Sequence, residues 1–400
     1  MIRSGLHRAA AKSKASPTET RALIAACIVG FAFSTNYTNH APLASALVST
    51  FRINLAQVGL LTTALFVTHS GIQIPGGHLS DRFGPRPVIL ASAAIIIVGN
   101  FALVAATAYW QLFLWKLFIG LGTGAGFVAG ARYVATIFAG PRLHLAQGMY
   151  GASILLGSGF VIFAVPIIFT EFGWQSAFYA AALLAVVSLA IWLAAHEPPP
   201  LKHAHAPLAG MISNPQLWLL GLTQMASFGL AIVVGAWVTT YLSRSFDLSL
   251  TSAGRIGSLV LLTGIVTRPL GGGAFARHGA RLTVQVSLAL NAAACLIFAL
   301  GGKSLLLAAF AILLLGIGCG LPYATVLNRA AALYPARPGA AIGVMNTVGT
   351  SMILIGPPLI GQMVEWSGAF QSSFLALAAF TMVAWAATFA IDQHESDRPV

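Results

Sequence analysis

Twelve apolar runs, each roughly 20 residues long, are strung along this chain with short polar turns between them. Read as helices, runs of that length are enough to cross the hydrocarbon core of a bilayer. They show no strict apolar–polar alternation, so helices rather than barrel strands are expected. Only 8% of the 400 residues are charged and 58% are hydrophobic. Soluble domains carry about 25% charged residues, and so few charges cannot cover a surface facing water. Most of the surface is therefore expected to face a lipid bilayer. The net charge of +12 is spread by topology rather than gathered in one patch, which argues against a nucleic-acid partner. Cys27, Cys295 and Cys319 all fall inside apolar runs and give neither a metal-ligand spacing nor a disulfide framework.

The spans are expected near residues 22–48, 56–79, 87–107, 110–139, 144–170 and 174–195, then 216–242, 252–275, 283–301, 304–333, 338–362 and 370–391. This divides the chain into a polar, basic tail (1–21), a six-helix bundle (22–195), a linker (196–213), a second six-helix bundle (214–391) and a short acidic tail (392–400). The linker holds Pro198, Pro199 and Pro200, which favour an extended connection. An even number of spans puts both ends on one side. Of the 21 Lys and Arg residues, only Arg52, Arg244, Arg255 and Lys303 fall in loops opposite the termini, and Lys116 and Arg268 fall inside spans. The basic excess lies with the termini, which places both in the cytoplasm and the chain in the inner membrane.

One turn fixes the kinship. Residues 71–88 read GIQIPGGHLSDRFGPRPV, with Gly77, Asp81, Arg82, Gly84 and Arg86 between spans two and three. A second copy follows span eight as Gly271-Gly272-Gly273-x-x-Ala276-Arg277-x-Gly279-x-Arg281, with Ala276 where the first has Asp81. The first copy resembles the loop between helices two and three of the major facilitator superfamily of secondary transporters. The resemblance covers about residues 20–392. It implies an all-α membrane fold of twelve transmembrane helices in two pseudo-symmetric six-helix bundles. It also implies that Gly77, Asp81, Arg82, Gly84, Arg86 and Arg277 serve the conformational change.

No acidic residue lies at mid-depth in any span. What remains there is Arg268, about two-thirds through span eight and followed by Pro269. A charge at that depth costs roughly 2.5–3.5 kcal/mol on insertion scales, so it should face a cavity. A guanidinium binds planar oxyanions through paired N–H groups, which makes Arg268 the expected anion anchor. Aligning the two halves puts Gln73 at the matching position of span two. Asn36 and His40 in span one and His69, one turn before Gln73, add polar groups to a central site. His40 and His69 are candidates for carrying a proton with the anion.

The run from Gln73 to Arg86, and Arg268-Pro-Leu-Gly-Gly, resemble the two anion-clamping regions of the nitrate/nitrite porters. In that family both positions are commonly arginine; here one is Gln73. Cyanate-permease-like and oxalate/monocarboxylate carriers fit a single arginine comparably. Span five, from Ala146 through Gly148, Tyr150 and Gly151 to Gly157, is similar to the glycine-rich nitrate signature, and Gly343, Asn346 and Gly349 form its counterpart in span eleven. The glycines are expected to serve helix packing, and Tyr150 and Asn346 to reach the cavity. Lys116 stands where the family usually has an arginine linked to proton transfer. Near the outer end of its span it is expected to snorkel to the interface. Trp237 and Tyr241, near the outer end of span seven, are expected as interface aromatics, with a gate as a second role.

The resemblance thus implies a secondary transporter of a small inorganic or organic anion, with the coupling ion open between a proton and a counter-anion. A monomer is expected, with no cofactor and no metal. Glycine strings such as Gly120-x-Gly122-x-Gly124 lie in an apolar helix, not after a strand, so no enzyme is indicated. Efflux of a drug or metabolite on the same fold is the alternative. The missing intramembrane carboxylate and the missing Gly-Pro motif in span five weigh against it. A non-transporting membrane sensor is the alternative of another class. The polar residues of spans one, two, eight and eleven favour a transporter.

Overall fold

The computed structural model describes residues 16–138, 141–195, 209–334 and 338–391, and among them it contains helices and turns and no strand. The first half comprises α1 (Pro17–Thr38), α2 (Ala44–Phe51), α3 (Leu55–Phe83), α4 (Pro85–Val104), α5 (Tyr109–Ile137), α6 (Pro141–Phe172) and α7 (Ser176–Leu193). The second comprises α8 (Ala209–Ile212), α9 (Pro215–Gln224), α10 (Leu230–Phe246), α11 (Leu250–Gly257), α12 (Leu259–Leu262), α13 (Gly264–Leu300), α14 (Leu305–Gly320), α15 (Tyr323–Leu333), α16 (Pro338–Ser367) and α17 (Gln371–Ala387). Eleven helical stretches among the described residues are long and apolar enough to cross a membrane. The remaining span, the first in the chain, is interrupted by its own polar residues.

Span one was expected as a continuous helix over 22–48. It stops at Thr38, passes through Asn39 and His40, and resumes with a short 3-10 turn at Ala41–Leu43 before α2. Pro42 has no N–H to continue the helical ladder. At its start, Ser16 and Glu19 form a reciprocal capping box. Span seven holds a π turn at Met225–Gly229 between α9 and α10. Span ten runs as one stretch, Leu305–Leu333, with a turn at Leu321–Pro322 between α14 and α15. Span eight is kept in one piece, because Ser258 and Thr263 retain right-handed helical dihedrals between its segments.

The internal repeat is visible in the backbone. Gly84 (φ 88°, ψ 159°) separates α3 from α4, and Gly279 (φ 78°, ψ 169°) breaks α13 at the matching place. Both need a positive φ that favours glycine. Just past the first glycine, Arg86 donates from Nε to the carbonyl of Trp192 at 3.1 Å and from Nη2 to that of Leu193, tying α4 to the end of α7. Gly77 packs beside Val128 of α5, and the Arg82 guanidinium lies 5.1 Å from the Phe83 ring centre. The side chains of Asp81 and Arg277, and residues 196–208 of the linker, lie outside the described set.

The halves meet along two seams. One joins α3 to α16 and the other joins α6 to the helices of span eight and to α15. On the side away from the termini the first seam is tight. A Cβ on Gly59 would meet the backbone of Pro357 at 2.5 Å, and Thr63 Oγ1 donates to the Leu354 carbonyl at 2.6 Å. Lower down, Ser70 bonds Thr350 at 2.7 Å and Asn346 bonds Gln73 at 3.0 Å. One turn further toward the termini, on the same face of α16, a Cβ on Gly343 would meet nothing within 4 Å. The second seam behaves alike. Gly254 packs against Ile162 and Pro166, Gly264 against Leu155, and Gly151 against Tyr323, but Gly148 only reaches Pro269 at 3.9 Å. Both seams pack closely on the far side, and among the described residues the contacts loosen at Gly343 and Gly148 toward the termini.

Candidate functional site

Between the two seams, a small cavity with room for about one water molecule is lined, among the described residues, by Tyr37, His69, Phe127, Ile154, Gln224, Phe228, Arg268, Tyr323 and Asn346. Both halves contribute to its wall. It carries one permanent cation and no carboxylate.

Arg268 is 1% exposed. Its Nη1 donates to the Gly151 carbonyl of the opposite half at 2.5 Å, and its Nε has no partner. The guanidinium carbon lies 3.9 Å from the Tyr323 ring centre and 5.5 Å from that of Phe228. A desolvated cation over a ring gains up to about 2 kcal/mol. These rings hold the guanidinium but supply no negative charge.

Local structure explains each seat. Tyr323 begins α15 just after the turn at Pro322, and its ring fits only because Gly151 has no side chain: a Cβ there would stand 2.4 Å from the ring. Gly151 therefore gives the arginine its carbonyl and the tyrosine its space. Phe228 sits in the π turn, a local widening that re-aims side chains and recurs at functional sites. Gln224 lies just before that turn, and its stem runs over Gly349, where a Cβ would stand 2.4 Å away. Its amide donates to Asn346 Oδ1 at 3.5 Å, and Asn346 donates in turn to Gln73 Oε1 at 3.0 Å.

Of the residues expected from sequence, Arg268, His69 and Asn346 meet at the cavity wall. His69 Nδ1 contacts Thr123 Oγ1 at 3.0 Å, and its ring packs edge-on against Tyr37. Gln73 stands one hydrogen bond behind the wall. Asn36, His40 and Tyr150 are not on it. Asn36 points among its own helix carbonyls and accepts from Asn100 at 2.7 Å. His40 Nε2 contacts Thr62 at 3.0 Å. Tyr150 donates to the Phe127 carbonyl at 2.9 Å, so it braces a wall residue.

Lys116 does not reach the interface. It is 0% exposed, and its Nζ donates to the Asn36 carbonyl at 3.0 Å and to Asn39 Oδ1 at 2.6 Å. The break after Thr38 frees carbonyls at the negative end of α1, and the ammonium caps them. Trp237 and Tyr241 are also buried, contrary to an interface role. Trp237 Nε1 donates to the Pro357 carbonyl at 3.0 Å, and Tyr241 packs edge-on against Phe298, Phe370 and Phe374. Cys27, Cys295 and Cys319 are free thiols.

Sequence reasoning missed Tyr37, Phe127, Ile154, Gln224, Phe228 and Tyr323 of the cavity wall. Gln224 had a signal, a lone amide inside an apolar run, as did Tyr323 directly after Pro322. Phe228 had none, because a phenylalanine in a membrane span is ordinary.

A helical body of two six-span halves with a polar cavity at their seam defines a multi-pass membrane transporter rather than an enzyme. The chain belongs to the Major Facilitator Superfamily, whose sequence profile matches residues 26–357 and 220–400. It is 24% identical over 356 residues to the nitrite extrusion protein of Bacillus subtilis (strain 168), covering 86% of this chain and 89% of that one. It is 22% identical over 361 residues to a probable nitrate/nitrite antiporter, NarK1, of Thermus thermophilus, covering 82% and 81%. It is 22% identical over 355 residues to a probable sulfoacetate transporter, SauU, of Cupriavidus necator (strain ATCC 17699 / DSM 428 / KCTC 22496 / NCIMB 10442 / H16 / Stanier 337), covering 81% and 82%. Among solved structures, the human organic anion transporter MFSD10 superposes with a TM-score of 0.75 at 17% identity, over 93% of this chain and all (100%) of that one. A mutant of the nucleoside transporter NupG gives 0.75 at 15% identity, with the same coverage.

Proposed function

We propose that this protein is a secondary transporter of a small anion, working by alternating access about the cavity at Arg268. The observation that carries this reading is a guanidinium buried to 1% exposure, with an unpartnered Nε, in a wall that holds no carboxylate. A cation in that position lacks a counter-charge, and an anionic guest supplies one. The names of the relatives, nitrate, nitrite and sulfoacetate transporters, agree on a small oxyanion.

The basic residues flanking the spans support cytoplasmic termini in a bacterial inner membrane. On that reading, seams shut on the far side fit an inward-facing state, and we take the transporter to act as a monomer. His69 is the imidazole on the cavity wall, so it is where a proton would accompany the anion. His40 and Lys116 stand outside the cavity. The glycine-rich turn, with Gly77, Asp81, Arg82, Gly84 and Arg86, and its counterpart with Arg277 act on the cytoplasmic side, where the seams move.

The test is flux into proteoliposomes of nitrate, nitrite, cyanate, formate, oxalate and lactate. Arg268→Ala is expected to lower uptake of the transported anion at least about a hundredfold, roughly 2.7 kcal/mol. Arg268→Lys should recover part of it, because charge returns without the planar fork. Unchanged flux in the alanine variant overturns the assignment.

A further inference from the structure

We propose that the cargo is a small monocarboxylate bearing a hydroxyl, with Arg268 on its carboxylate and Gln224 on its hydroxyl. This rests on the anion reading above and narrows it.

The charge count comes first. Among the described residues of the cavity wall Arg268 is the one permanent cation, so a monoanion neutralises the site and a dianion leaves a buried charge unpaired. The shape of the free edge comes second. Nη1 is taken by the Gly151 carbonyl and Nε is unpartnered, which leaves the Nε–Nη2 edge open. That edge is a planar fork whose spacing matches the two oxygens of a carboxylate.

The hydroxyl follows from the amide row. Gln224, Asn346 and Gln73 are linked head to tail from the cavity wall into the seam. Such a row leaves one donor and one acceptor unused at its ends. Here they are Gln73 Nε2 and Gln224 Oε1, both buried and without partners. Reversing all three amides, a choice that heavy-atom positions alone do not fix, turns the cavity end from an acceptor into a donor. A hydroxyl both donates and accepts, so it completes the row in either orientation. Nitrate and unsubstituted carboxylates carry acceptors only. Tyr37, Phe127 and Phe228 give the same wall an aromatic surface against which a carbon skeleton packs.

The experiment compares labelled lactate and propionate, which share a three-carbon frame and differ by the hydroxyl, together with nitrate, in proteoliposomes of the full chain. The wild type is expected to take up lactate about tenfold faster than propionate and to prefer lactate over nitrate. Gln224→Leu should erase the lactate advantage, bringing the lactate-to-propionate ratio to about one; Gln224→Met serves if the leucine variant does not fold. Equal rates for lactate and propionate in the wild type, or nitrate outcompeting both, overturn the proposal without any variant. So does a lactate preference that survives loss of the amide. The underlying anion reading fails by a different result: no uptake of any anion, or uptake indifferent to Arg268→Ala.

Discussion

The backbone N–H of Leu55 donates to the Glu365 carboxylate at 3.0 Å, from the first turn of α3 to the last turn of α16. The contact joins the halves on the face away from the termini. It sets a negative charge on a helix N-terminus, where the macrodipole favours it by about 0.3–1 kcal/mol at an exposed site. Glu365→Gln is expected to shift the resting population toward the state open on that face by about two- to fivefold. Distances between spin labels at Arg52→Cys and Lys303→Cys report the shift. An unaltered distance distribution would show that this contact does not hold the seam.

Glycines in the seams should divide into two kinds. Gly151→Ala and Gly349→Ala drive a methyl into Tyr323 and the stem of Gln224, at 2.4 Å in each case. Overpacking of this sort costs about 1–3 kcal/mol, and uptake should fall about tenfold or more. Gly343→Ala meets nothing within 4 Å and should stabilise the helix of this state by about 0.5–1 kcal/mol. Flux and thermal unfolding of the three variants check the split; similar losses in all three would refute it.

Lys116→Met should destabilise the fold. It leaves the Asn36 carbonyl and Asn39 Oδ1 without their buried donor, at about 1–3 kcal/mol for each orphaned group. A lower melting temperature in detergent is expected, with the pH profile of residual uptake kept. A profile that flattens in this variant would instead make Lys116 a carrier of the proton.

The two histidines should separate. His69 lines the cavity, so His69→Gln is expected to lower uptake by roughly tenfold, about 1.4 kcal/mol, and to change its pH dependence. His40 contacts Thr62 away from the cavity, and His40→Gln should leave the pH dependence as it was. Flux measured across a pH series in both variants decides between them.

The membrane fold was legible because long apolar runs with few charges admit no other answer, and the paired glycine–arginine turns gave away the repeat. Arg268 stood out because a guanidinium in a span has to face something polar. Depth and face were harder. Lys116 looks exposed when its span is taken alone; it is buried because α1 breaks after Thr38 and offers carbonyls, a tertiary event set by Asn39, His40 and Pro42 together. Tyr37 faces the cavity, while Asn36, its neighbour on the same helix, points away toward Asn100. Gly151 was read as packing, yet its carbonyl and its missing side chain serve the arginine and Tyr323 at once. Neither role follows from spacing within one helix.

With its seams shut on the face of Gly59 and Pro357, the protein in this state is closed to one compartment. A bulky blocker that needs an open route to Arg268 cannot enter from there. In sealed vesicles such a molecule should inhibit from one face of the membrane and be inert from the other, so its sidedness would reveal how the carrier is inserted.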